Sequence, residues 1–164
     1  MSAIRRLGFG EQERVVVVHV DDVGMSRAAN TGALRAFEGA ATCGSVMVPC
    51  AAFDEIARIA RGRRDLDLGV HLTLNAEYEG HRWGPVRDDV PGLVSPDGGM
   101  WRTTAEAVAN ATPEEVHREL AAQIDRALDA GIDVTHLDSH MGTVMDAKFV
   151  EVYAELARDR KSVV

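Results

Sequence analysis

The sequence predicts an α/β fold built on a parallel sheet. Short β-branched or apolar runs alternate with amphipathic helical segments along most of the chain. The strand-like runs are nearly continuous in apolar residues, as strands covered on both faces are. Glycines, prolines and capping residues separate the segments. Alternation of this kind implies right-handed crossovers between parallel strands. A (β/α) barrel and a doubly wound sheet both fit the pattern.

The first strand is expected over Val15–Val20, where five of the six residues are valine. It breaks at Asp21–Asp22, and Gly24 permits a tight turn. Ser26 is then placed to cap a helix carrying Ala29, Ala33, Leu34 and Phe37 on one face and ending at Gly39. A second strand is expected over Ser45–Val48, stopped by Pro49. Phe53, Ile56, Ala57 and Ala60 mark the next helix, with Arg61, Arg63 and Arg64 at its C-terminal end, where they complement the dipole. The third strand is expected over Leu66–Leu74. A Gly-, Pro- and Trp-rich stretch, residues 75–111, reads as one long substrate-side loop. Thr112, Pro113 and Glu115 form a capping box with proline at the first helical position. Val116, Leu120, Ile124 and Leu128 repeat every four residues until Gly131. The fourth strand is expected over Ile132–Leu137, and a last helix over Ala147–Arg158.

A chain of 164 residues suffices for one domain, 1–164, and is too short to expect two. Its 46% hydrophobic and 27% charged residues are globular values that exclude a disordered chain. A net charge of −8 argues against nucleic-acid or anionic-membrane partners, which need a cationic surface. No apolar stretch approaches the roughly 20 residues of a membrane span. The N-terminal stretch MSAIRRLGFGEQER lacks the apolar segment of a signal peptide. Cys43 and Cys50, if both lie on one strand, are about 23 Å apart, too far for a disulfide. Reduced, buried thiols in a cytoplasmic protein are expected.

In parallel α/β folds, reactive groups collect at the C-terminal ends of the strands. Those ends carry Asp21 and Asp22 after the first strand and His71 late in the third. The fourth brings His136, Asp138 and His140, whose i, i+2, i+4 spacing sets them on one face of an extended chain. An Asp–Asp pair alone also suits a helix cap, and a lone strand histidine also suits a core. Three strand ends that each present carboxylate or imidazole point instead to one site. One carboxylate and two imidazoles form a mixed oxygen and nitrogen set for a divalent cation, with no need of thiolate. Such an ion activates water and polarises a carbonyl, leaving a second carboxylate as general base.

These residues resemble the ChbG/HpnK (YdjC-like) carbohydrate deacetylases. His19-Val20-Asp21-Asp22-Val23-Gly24 is similar to that family's first motif, with His19 and Val23 in place of Asn and Phe. Gly69-Val70-His71-Leu72-Thr73-Leu74 and His136-Leu137-Asp138-Ser139-His140 are similar to the second and third. The resemblance covers residues 14 to 158. Met141-Gly142-Thr143 follows His140 where many members carry another histidine. It implies the N-terminal part of a parallel (β/α) barrel-like fold, incomplete at about four to five βα units. Asp22, His71 and His140 would be the metal ligands, Asp21 the catalytic base, and His136 and Asp138 the groups that orient them. The implied cofactor is one divalent ion, Mg²⁺ or Zn²⁺. The implied reaction is hydrolysis of an N-acetyl group on an amino sugar. Tyr78, Arg82, Trp83 and Trp101 in the long loop are then expected to bind the sugar, since aromatic faces stack on sugar rings. A metallohydrolase on another substrate, such as a phosphoesterase, is the competing enzyme, although no P-loop is present. The third alternative is an inactive fragment that needs partner chains, a homo-oligomer included, to cover open strand edges.

Overall fold

The computed structural model describes residues 3–10 and 12–160. Met1, Ser2 and Glu11 of the N-terminal stretch, and the last four residues of the expected 1–164 domain, lie outside the described residues. After a single N-terminal turn, α1 (Ala3–Arg6), the order is β1 (His19–Val23), α2 (Arg27–Phe37), β2 (Cys43–Val46), α3 (Phe53–Ala60) and β3 (Leu68–Leu72). Then come a 3₁₀ turn at Pro91–Leu93, α4 (Thr104–Asn110), α5 (Pro113–Asp129), β4 (Val134–Ser139), a kinked 3₁₀ segment over His140–Met145, and α6 (Val150–Arg160). The four strands form one parallel sheet in the order β1-β2-β3-β4. Every crossover therefore joins neighbouring strands, as in the N-terminal part of a (β/α) barrel.

The sheet curls. β1 and β4 are its two outer strands, yet the rings of His19 and His136 stand 5.1 Å apart across the concave face. The convex face carries the main core, in which Val46, Phe53, Ile56, Leu68, Leu72, Leu120, Ile124 and Phe149 are buried. That core follows from patterning: Val116, Leu120, Ile124 and Ala127 line one stripe of α5 against the sheet. Leu128, the last residue of the expected repeat, is exposed, because α5 ends one residue later and its stripe has turned away.

The caps form as their chemistry dictates. Ser26 Oγ accepts from Ala29 N, and Thr112 and Glu115 exchange both bonds of a capping box. The expectation that fails is the first strand. Val15–Val18 belongs to no strand, although the Val18 carbonyl accepts from Thr42 N, and Val16 is 73% exposed. Pairing starts only at His19, opposite Cys43. A β-branched run is equally comfortable in exposed extended backbone, so composition alone misplaced the strand by four residues. The second and fourth strands are likewise shifted, to Cys43–Val46 and Val134–Ser139. The long loop is also more ordered than expected. It contains α4, with its own capping box at Thr103 and Glu106, and the Pro91–Leu93 turn.

Candidate metal centre

Two layers of polar side chains occupy the concave face. The upper one lies at the C-terminal strand ends. Asp22 leaves β1 with φ 58°, a left-handed conformation that few non-glycine residues adopt. This turn aims its carboxylate across the sheet. Asp22 Oδ1 lies 3.4 Å from His71 Nε2 on β3 and 3.2 Å from His140 Nδ1 at the end of β4. These three donor atoms lie within 4.8 Å of one another, and both imidazoles are buried.

The far side of each ring is held. His71 Nδ1–H donates to Asp138 Oδ1 at 2.7 Å, across the register pair His71–Asp138. The Ser45 hydroxyl donates to the other oxygen of Asp138 at 2.8 Å and lies 3.0 Å from His71 Nδ1. His140 Nε2–H donates to Glu77 Oε2 at 2.9 Å. Carboxylates behind both rings therefore fix their orientation and raise their basicity, the usual support for metal-binding histidines. Electrostatics follows the same geometry. Hydrogen bonds from His140 and His71 hold the Asp22 carboxyl well below the usual carboxylate range, against the pull of burial. Burial lowers the pKa of His71, but its bonds to Asp138 and Asp22 outweigh that and raise it to about 9. His140 is raised in the same way by Asp22 and Glu77. His71 thus keeps a proton beside an ionised Asp22 carboxylate, and His140 is biased the same way, so protons are favoured where a cation could bind. Nearby Cys50 is pushed up to about 12 by burial and by the charges of Asp22 and Glu77, so it stays a neutral thiol.

Asp21 turns to a different partner on the same face, where its carboxylate lies within 4.8 Å of His19 and Asp138 donor atoms, and its side chain is 65% exposed. Its carboxylate accepts from His19 Nδ1 at 2.7 Å. His19 begins the lower layer with Cys43 on β2 and His136 on β4. His136 packs over Gly69, where an added Cβ would come within 2.5 Å of its ring, so only glycine leaves room for it. Burial pulls the His136 imidazole below its ordinary value.

The structure brings Asp22, His71, His140 and Asp138 into contact and sets His136 in the layer below. Of the loop residues, Trp83 is buried with its ring 6.0 Å from that of His140, and Tyr78 is exposed beside it, 6.3 Å from Trp83. Arg82 donates to Asp97, Ser95 and the Met100 carbonyl, and Trp101 Nε1 donates to the Gly92 carbonyl, so both brace the loop. Sequence reading missed Glu77, Ser45 and His19. Glu77 was in reach: it follows β3 by five residues, and the strand-end rule applies to the loop as well.

The family model of YdjC-like proteins matches residues 15–163. The chain belongs to the YdjC-like family. It is 40% identical over 158 residues to a carbohydrate deacetylase of Thermus thermophilus, covering 96% of this chain and 54% of that protein. A carbohydrate deacetylase of Brevibacillus brevis is 32% identical over 88% of this chain and 56% of its own length. A chitooligosaccharide deacetylase of Klebsiella pneumoniae is 32% identical over 90% of this chain and 57% of its own length. In the solved structures, an Enterococcus faecalis protein named for cellobiose-phosphate cleavage superposes with a TM-score of 0.80 at 28% identity. That match covers 89% of this chain and 56% of the other. The YdjC-like chain described here spans about half the length of the curated relatives it matches.

Proposed function

We propose that this chain carries the metal-binding and proton-transfer part of a carbohydrate N-deacetylase site. The observation that supports it is the convergence of Asp22, His71 and His140 donor atoms, within 4.8 Å, at the strand ends of a YdjC-like sheet. Relatives that share most of this chain are named carbohydrate deacetylases. The donor set fits a divalent cation: one carboxylate, two imidazoles held from behind by carboxylates, and no thiolate. Mg²⁺ or Zn²⁺ is the expected ion. Such an ion, when bound, would polarise the acetamide carbonyl and lower the pKa of water toward about 7.

In this reading Asp21 takes the proton of the attacking water, with His19 holding its carboxylate in place. Asp138 keeps His71 oriented directly, whereas His136 meets none of the three ligands and acts through His19, which holds Asp21. Attack of water on the acetamide carbon breaks the C–N bond, releasing acetate and the free amine of the sugar. Tyr78 offers an exposed ring for the sugar beside Trp83, while Arg82 and Trp101 act through the shape of the loop. The domain 1–164, with its loop 75–111, supplies one side of the substrate cleft.

Acetate release from N-acetylglucosamine oligomers tests this. The chain should release acetate when a divalent ion is added, lose that activity in chelator, and lose it in Asp22→Asn. Phosphate release from sugar phosphates without acetate release would contradict the reading. So would activity unchanged by both chelator and Asp22→Asn.

A further inference from the structure

Two imidazoles of the lower layer meet through nitrogens that call for a cation between them. His19 Nε2 and His136 Nε2 face each other at 2.9 Å. Each ring has already spent its Nδ1–H. Asp21 is an acceptor, so His19 Nδ1 must donate to it. Thr135 Oγ1 lies 2.5 Å from Asp67 Oδ1, and only the threonine can donate there. His136 Nδ1, 2.8 Å from that hydroxyl, must therefore be the donor to Thr135. Two neutral rings so arranged point lone pairs at each other. A cation between them, proton or metal ion, removes the repulsion.

Cys43 completes a set. Its sulfur and the two imidazole nitrogens lie within 4.8 Å of one another, against Zn–N of about 2.0–2.1 Å and Zn–S of about 2.3 Å. Both histidines are oriented through Nδ1 by an oxygen, one of them a carboxylate, as metal ligands are. The three groups line an open cavity of about 450 Å³, which leaves room for a fourth ligand. His19 stands where the family motif carries asparagine. The two clusters share no ligand, and Asp138, bonded to His71, stands between them with Oδ2 3.6 Å from His19 Nε2.

We propose that His19, Cys43 and His136 bind a second metal ion, of the soft or borderline class typified by Zn²⁺. A thiolate with two imidazoles selects such ions over Mg²⁺ or Ca²⁺. The alternative is a single proton held between the rings, with no affinity for metal.

Co²⁺ titration of the whole chain separates the two. A thiolate-to-cobalt charge-transfer band should appear in the near ultraviolet, which the Asp22 cluster cannot produce for want of sulfur. The band should vanish in Cys43→Ser and persist in both Cys50→Ser and Asp22→Asn. Thr135→Val, which removes the partner of His136 Nδ1, should weaken the site by about tenfold or more. In the unaltered chain, Zn²⁺ but not Mg²⁺ should protect Cys43 from alkylation, a reading that needs no variant to fold. No charge-transfer band, a band that survives Cys43→Ser, or alkylation of Cys43 indifferent to Zn²⁺ would overturn the proposal. Because Asp22→Asn removes only the upper site, loss of deacetylase activity and loss of the cobalt band are read independently.

Discussion

Asp22 occupies a left-handed backbone position, at a cost of about 1–2 kcal/mol for a residue with a Cβ. Strain of this kind persists where surrounding structure enforces it, and here Asn30 Oδ1 fixes the next turn by accepting from Gly24 N at 2.8 Å. The distortion turns two successive carboxylates toward different partners: Asp22 to His71 and His140, Asp21 to His19. Asparagine tolerates the same backbone, so Asp22→Asn should fold while losing the ligand. Glu77 lies behind His140 as Asp138 lies behind His71. Glu77→Gln should therefore weaken metal binding by about 10–100-fold with little change in melting temperature, measured by calorimetric titration. The pH dependence has a definite sign. In the metal-free protein His71 holds a proton up to about pH 9. A cation must displace it, so apparent affinity should rise by at least about tenfold per pH unit toward that value and then level. Calorimetry in buffers of different ionisation enthalpy should show the proton released. Affinity that falls as pH rises would contradict this.

At the scale of elements, α5 holds the loop as well as the core. Glu115, Glu119 and Gln123 recur every four residues on a second buried stripe beside the apolar one. Glu119 accepts from the backbone N–H groups of Val86 and Arg87 and from Gln123, and Gln123 bonds both the N–H and the carbonyl of Thr73. The helix thereby ties the loop after β3 to the end of the strand that presents His71. Truncation by Glu119→Ala removes the acceptor of the part-buried Val86 and Arg87 N–H groups and should cost about 0.5–1.5 kcal/mol for each, read as a lower melting temperature. This element also shows what sequence can and cannot reveal. The apolar row Val116, Leu120, Ile124 and the capping box of α5 were legible, because periodicity and capping are local. The polar row was invisible as a buried surface, since its meaning depends on a loop that comes from elsewhere in the chain. The same division runs through the site. Asp22, His71 and His140 could be read from strand ends, whereas Glu77 and Ser45 matter only through contacts made in three dimensions.

The described residues form a curled four-stranded sheet, one face packed by helices and the other lined by the two polar layers. β1 and β4 have no further neighbours among the described residues. Beside β1, Val15–Val18 is exposed at every position. An extended apolar run beside an open strand edge favours pairing with another chain. Sedimentation should show concentration-dependent association that is reduced when Val16 and Val17 are replaced by lysine. A monodisperse monomer at all concentrations would contradict that expectation. No helix among the described residues is long and apolar enough to cross a membrane. The valine run was misread because burial belongs to the assembled sheet, and β-branched composition reports only that the backbone is extended.

The proposed chemistry depends above all on a cation between β1, β3 and β4. Anomalous scattering at the zinc absorption edge, from crystals of this chain grown with Zn²⁺, tests it most directly. The predicted result is a peak within bonding distance of Asp22 Oδ1, His71 Nε2 and His140 Nδ1, with Asp138 and Glu77 still behind the two rings. Ordered side chains in their hydrogen-bonded arrangement, with no peak among them at saturating zinc, would contradict it.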